Sequence, residues 1–186
     1  IRSDGKMHGA LPALGHRRRV QSRPGRAGIR RAKHRRENSV VDDAGKNGVA
    51  RAAVVEALNQ SVAETAVTTM LAQNFHWNVT GMCFDPLHDL FQKIYEDHFI
   101  AQDDLAERVK ALDAHAEGTL AGMLTRSKVR EHDGHATDKE MIKTMQDAQE
   151  TLAATLAGAG AIAADHGDTL TEDLCIARGQ VHEKFA

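Results

Sequence analysis

The 186-residue sequence predicts an all-α protein: a four-helix bundle with a short helix in the long connection between the second and third helices, preceded by a disordered basic N-terminal arm. Three observations carry this expectation. From Val49 onward, apolar residues recur at spacings of three and four, the period of an amphipathic helix. Two T-x-x-E runs, Thr137 to Glu140 and Thr169 to Glu172, have the form of the capping box that starts a helix. Charge is also divided along the chain: residues 1–46 hold 13 Lys and Arg against 4 Asp and Glu, and the rest hold 11 against 22. The net charge of −2 therefore hides a basic arm joined to an acidic globule.

The arm, residues 1–47, places Arg17, Arg18, Arg19, Arg30, Arg31, Lys33, Arg35 and Arg36 among glycines with no sustained apolar period, so it is expected to be disordered in isolation. The globular domain is residues 48–186. Its first helix carries Val55, Leu58, Val62, Ala66 and Met70 and runs to about Trp77. Gly81 and Pro86 punctuate the chain before a second stripe of Leu87, Phe91, Ile94, His98, Ala101, Leu105 and Leu112, ending near Asp113. A short helix fits at Leu120 to Leu124. The third helix starts at the Thr137 box, carries Met141, Met145, Ala148, Leu152, Leu156 and Ala159, and stops at His166-Gly167. The Thr169 box then opens the fourth, with Leu170, Leu174, Ala177, Val181 and Phe185 as its stripe.

The two cysteines, Cys83 and Cys175, stand singly, which argues against a disulfide framework or a thiolate zinc site and fits a reducing cytosol. The longest apolar stretch, around Leu156 to Ala164, is far below the roughly 20 residues of a membrane span. A soluble cytoplasmic protein without membrane contact is expected.

His88, Gln92, Asp103 and Glu107 share one side of the second helix, a side expected to be buried, because steps of four and eleven residues approach whole turns. Separately, such residues are usually a solvated face or a satisfied histidine. The pair His88 and Gln92 lies roughly 16 Å along the axis from Asp103 and Glu107, so one metal ion cannot reach both within a chain. Antiparallel packing of two copies about a two-fold axis brings His88 of one beside Asp103 and Glu107 of the other, and His76 can complete each of two sites. Such mixed imidazole and carboxylate ligands suit ferrous iron and tolerate zinc or manganese.

The run His76-Trp77-Asn78-Val79-Thr80-Gly81, followed by Phe84, Leu87-His88, Phe91, Tyr95, Asp103 and Ala106-Glu107-Arg108, resembles the Dps family of mini-ferritins, DNA-binding proteins from starved cells in the ferritin-like superfamily. Gly167-Asp168, Thr171, Asp173-Leu174 and His182-Glu183-Lys184 resemble the family's last helix, so the likeness covers about residues 50–186. It implies a ferritin-like bundle assembled as a dodecamer from two-fold dimers. It also implies a ferroxidase that oxidises Fe(II), preferentially with hydrogen peroxide, and stores ferric mineral inside the shell, sparing DNA from hydroxyl radicals. By position, His76 and His88 match the family's histidine ligands, and Asp103 and Glu107 match the carboxylates donated by the neighbouring subunit. Trp77 matches the aromatic residue beside the site, where radical quenching competes with plain packing as its role. Gln92 departs from the acidic residue many members carry there, which predicts a weaker second iron position and slow turnover. Asp168, Asp173 and Glu172 match the carboxylates lining three-fold pores, although acidic residues also favour any helix N-terminus. The family's last helix usually continues beyond the point where this chain stops at Phe185-Ala186, so weakened subunit contacts are expected.

The resemblance leaves out the arm, whose composition suits nonspecific binding of double-stranded DNA through phosphate neutralisation, with nucleoid association. Rival readings of the arm are an organelle transit peptide and a leader without function, the latter suggested by a start at Ile1 with Met7 close by. The alternative for the whole protein is a DNA-compacting shell whose metal site is degraded or holds zinc.

Overall fold

The computed structural model describes the backbone of residues 26–186 and the side chains from residue 48 onward. Among the described residues the order is α1 (Arg26–Asn78), α2 (Phe84–Ala111), α3 (Leu120–Arg126), α4 (Asp138–Asp165) and α5 (Thr169–Phe185). The chain divides into a unit of residues 1–42 and a unit of residues 43–186, and the bundle belongs to the second. The basic arm of residues 1–47 lies for the most part outside the described residues, and its expected disorder in isolation is not tested by the helical backbone given for residues 26–47. Arg17, Arg18 and Arg19, and the side chains of Arg30, Arg31, Lys33, Arg35 and Arg36, lie outside the described residues.

Two apolar clusters fill the bundle. One gathers Phe75, Phe91, Ile94, Met141 and Met145, from the end of α1 and the starts of α2 and α4. The other gathers Leu58, Val62, Leu105, Leu156, Cys175 and, from α3, Met123. Helices α2 and α4 thus cross the core in the same direction. The connection between them must travel the length of the bundle, which is why it is long and carries α3, the one-crossover arrangement of ferritin-like folds.

Local chemistry sets the ends. Thr137 and Glu140 form the expected capping box at α4, with Glu140 Oε2 accepting from Thr137 N at 2.8 Å. Asp113, at φ 57°, follows the C-cap of α2 in the left-handed region, where its short polar side chain is tolerated. Gly167, at φ 72°, takes that conformation after α4. Asp168, rather than Thr169, caps α5, its carboxylate accepting from Thr171 N at 3.1 Å.

The buried face of α5 also lies one residue on from the expected stripe. Its buried residues are Thr171, Cys175 and His182, while Leu170 is 68% exposed. In α1, Met70 is exposed and the core is carried by Val67, Leu71 and Phe75 instead. In α2, Val109 is the buried residue near the C-terminus and Leu112 only packs partly. An apolar stripe misled in α5 because the bundle's centre is polar.

Between the two apolar clusters lies a hydrogen-bonded layer. Gln149 on α4 donates from Nε2 to His98 Nε2 at 3.0 Å and accepts at Oε1 from His182 Nδ1 at 2.8 Å, with all three residues fully buried. Asp97 forms a two-pronged ion pair with Arg178 and lies 3.3 Å from His98 Nδ1. Burial raises the Asp97 pKa, but hydrogen bonds from His98 and Arg178 and the Arg178 charge outweigh it and hold the carboxyl well below its usual range.

Burial, with the charges of His98 and Arg178, pushes His182 down to about 3, against the opposing pull of Asp97. The unfolded chain therefore binds the proton first. The stability held by the neutral ring is complete above its ordinary 6.5 and is lost as pH falls toward 3. We expect stability to drop between pH 6.5 and pH 4 by up to about 1.4 kcal/mol per pH unit from this residue. Thermal unfolding across that range checks it, and His182→Asn is expected to flatten the slope.

Candidate metal centre

The chain between α1 and α2 reverses at Gly81, whose φ of 99° is open to glycine alone without strain. The reversal sets His76, near the end of α1, against His88, in the second turn of α2. His76 Nδ1 lies 2.9 Å from the His88 carbonyl oxygen, and His88 Nδ1 lies 2.8 Å from that of His76. A carbonyl can only accept, so each Nδ1 carries a proton and donates it, leaving the Nε2 lone pair of each neutral ring to a ligand. The rings stack at 3.6 Å. Phe84 stacks on His88 at 5.0 Å, and Tyr95 meets the edge of His76 at 5.3 Å. This is a pair of imidazoles fixed in the metal-ligating tautomer by neighbouring acceptors.

Asp103 and Glu107 are exposed on α2, 15 and 19 residues beyond His88, or about 22 and 28 Å along the axis. The structure thus brings His76 and His88 together and does not bring the two carboxylates to them. Among the described residues, no group of three His, Cys, Asp or Glu side chains is placed to hold one metal ion. The expected burial of this side of α2 is corrected as well. The core stripe is Leu87, Phe91, Ile94, His98, Ala101, Leu105 and Val109; His88 and Gln92 lie one residue beyond core positions, and Asp103 and Glu107 lie two beyond Ala101 and Leu105, so all four are turned from the core. His88 and Gln92 are half-buried, and Asp103 and Glu107 face solvent in the single chain. Gln92 Nε2 donates to Glu96 Oε1 at 2.7 Å.

Trp77 is 65% exposed, so packing in the subunit core is not its role. It lines an open groove of about 560 Å³ together with Met70, Phe99, Gln102, Leu120 and Leu124. Phe99 and Leu120 are 70% and 80% exposed there, and clustered apolar exposure of this kind marks a surface built to be covered. Gln102 joins the groove to the Asp103 end of α2.

The three acidic residues at the start of α5 are not alike. Asp168 pairs with Arg108 at 2.7 Å and accepts from the Thr171 hydroxyl at 2.5 Å as well as capping the helix. Burial raises its pKa, but the Thr171 bonds and the Arg108 charge bring it below the ordinary carboxylate value. Asp173 is exposed and Glu172 half-buried. We expect Asp168→Ala to destabilise the bundle by about 2 kcal/mol through loss of cap and ion pair. Asp173→Ala should leave urea denaturation unchanged, so any slowing of iron uptake in that variant reports on entry.

Periodicity placed His98 on the buried stripe of α2 but did not reveal the layer it forms with Asp97, Gln149, Arg178 and His182. The available signal was Gln149, an amide between Met145 and Leu152 at core spacing. Among the described residues, no helix is long and apolar enough to cross a membrane.

The model of the ferritin-like domain matches residues 55–184. Over 133 residues the chain is 30% identical to DNA protection during starvation protein 2 of Bacillus anthracis, across 72% of this chain and 91% of the relative. The crystal structure of a Dps protein from Bacillus brevis superposes with a TM-score of 0.72 at 31% identity, covering 74% of this chain and 92% of that one. The Dps protein of Vibrio cholerae O1, described as a member of a broad superfamily of ferritin-like diiron-carboxylate proteins, gives 0.71 at 27% identity over 73% and 86%. With a ferritin-like match over most of the chain and Dps proteins as its relatives in both sequence and structure, the chain belongs to the Dps family of ferritin-like proteins.

Proposed function

We propose that this protein oxidises Fe(II), preferentially with hydrogen peroxide, at sites shared across a two-fold dimer, and stores the ferric product inside a twelve-subunit shell. The observation that carries this reading is the reciprocal lock of His76 and His88, which presents two Nε2 lone pairs while the carboxylates of Asp103 and Glu107 stand exposed at the far end of the same helix side. An antiparallel partner satisfies both ends at once, and the apolar groove around Trp77 and Phe99 supplies a surface for it to cover. Iron is the substrate. Each of two Fe(II) ions gives one electron, and peroxide takes both as its O–O bond breaks, so no hydroxyl radical is released. Glu107 and Asp103 neutralise the cations, the imidazoles hold them, and Trp77 stands beside the site to intercept stray oxidant. Asp173 and Glu172 draw Fe(II) toward the shell interior. Arg17, Arg18, Arg19, Arg30, Arg31, Lys33, Arg35 and Arg36 bind double-stranded DNA without reading sequence, with an affinity that falls steeply with salt.

Anaerobic Fe(II) loading followed by stoichiometric peroxide tests the reading. Ferric absorbance is expected to rise faster than in buffer alone, with little spin-trapped radical. Gln92 favours a second reading, since a neutral amide is a weaker ligand than a carboxylate for a hard cation. A DNA-compacting shell with a weakened or zinc-holding site predicts oxidation no faster than buffer and zinc retained through purification.

A further inference from the structure

Whether Gln92 helps or hinders a cation depends on which end of its amide faces the metal. The oxygen is a ligand, whereas the NH2 group points two hydrogens at the ion. Gln92 Nε2 donates to Glu96 Oε1 at 2.7 Å. A carboxylate has no hydrogen to give, so it accepts only the nitrogen end and turns the oxygen away from itself. His88, Gln92 and Glu96 follow one another at intervals of four on one side of α2, with Gln92 in the middle. The end of the amide turned from Glu96 is therefore the end available to the His88 side.

We propose, resting on the shared centre above, that Glu96 is a positioning residue that sets the Gln92 carbonyl oxygen toward the second iron position beside His88. Its charge also polarises the amide it holds, which raises electron density on that oxygen. Gln92 with Glu96 one turn on thus replaces a single acidic ligand by an oriented amide backed by a carboxylate. Glu96 acts on the metal only through Gln92.

The test uses Co(II), which is not oxidised under anaerobic conditions, with calorimetry and ligand-field absorbance on the full-length assembled protein. The wild type is expected to bind two ions per site, the second more weakly. Glu96→Ala should weaken the second ion by at least about tenfold, the low end of the range seen when outer-shell partners of ligands are removed, and leave the first unchanged. In a Gln92→Asp background only the loss of a nearby negative charge remains, so Glu96→Ala should weaken the second ion by no more than about twofold. An aspartate has no nitrogen to orient, so nothing else is left for Glu96 to do. Equal weakening in both backgrounds makes Glu96 a plain surface charge and overturns the proposal. Binding that depends on His88 but not on Glu96 overturns this proposal alone, whereas identical uptake by the wild type and His88→Ala overturns the shared centre and this proposal together.

Discussion

Replacing His88 and Glu107 together by alanine is expected to bring peroxide-driven oxidation of Fe(II) down to the rate of buffer alone. The two residues stand at opposite ends of α2, yet each removes a ligand from every site if the centre is built across a dimer. His88→Ala also removes half of the reciprocal lock, the bond from His88 Nδ1 to the His76 carbonyl, together with the ring stacked on His76 at 3.6 Å, while the backbone carbonyl of residue 88 still accepts from His76 Nδ1. Glu107 is exposed in the single chain, so its loss leaves the subunit core intact. The double variant should therefore keep its helical circular dichroism while losing activity by at least about 100-fold. Ferric absorbance and radical yield, measured beside the wild type, check it. A variant that still oxidises iron faster than buffer would place the chemistry elsewhere.

The largest effect on stability is expected from Gln149→Leu. The substitution is close in volume but leaves His98 Nε2 without its donor and His182 Nδ1 without its acceptor, both in residues with no exposure. Each stranded buried group costs about 1–3 kcal/mol, so a loss of about 2–5 kcal/mol is expected by urea denaturation at pH 7. Leucine itself adds apolar contact, which offsets part of that cost. A loss below 0.5 kcal/mol, within the usual scatter of surface substitutions, would show that the polar layer does not hold the bundle together.

The fold was legible because most of its helices announce themselves by period and cap. Met141, Met145, Leu152 and Leu156 are all buried as their spacing requires, and Thr137 makes its box with Glu140. The histidine pair was legible as two residues flanking a turn, but not as a reciprocal lock, since that geometry depends on backbone carbonyls that have no signature in sequence. Periodicity failed where the core is polar. On α5 it selected Leu170 over Thr171, because reading apolar residues alone cannot see that His182 and Cys175 define the inner face. The capping role of Asp168 was hidden in the same way, since its carboxylate is drawn to Arg108, 60 positions away.

Subunit complementation tests most directly the claim that one chain supplies the histidines and another the carboxylates. Two inactive variants, His76→Ala with His88→Ala and Asp103→Ala with Glu107→Ala, are mixed, dissociated and reassembled, and Fe(II) oxidation by peroxide is followed. In a mixed dimer one of the two sites receives intact histidines from the second variant and intact carboxylates from the first. Random pairing should thus restore about a quarter of the wild-type sites. Recovery of that order is the predicted result, and a reassembled mixture as inactive as either parent, with mixed dimers shown to be present, would contradict it.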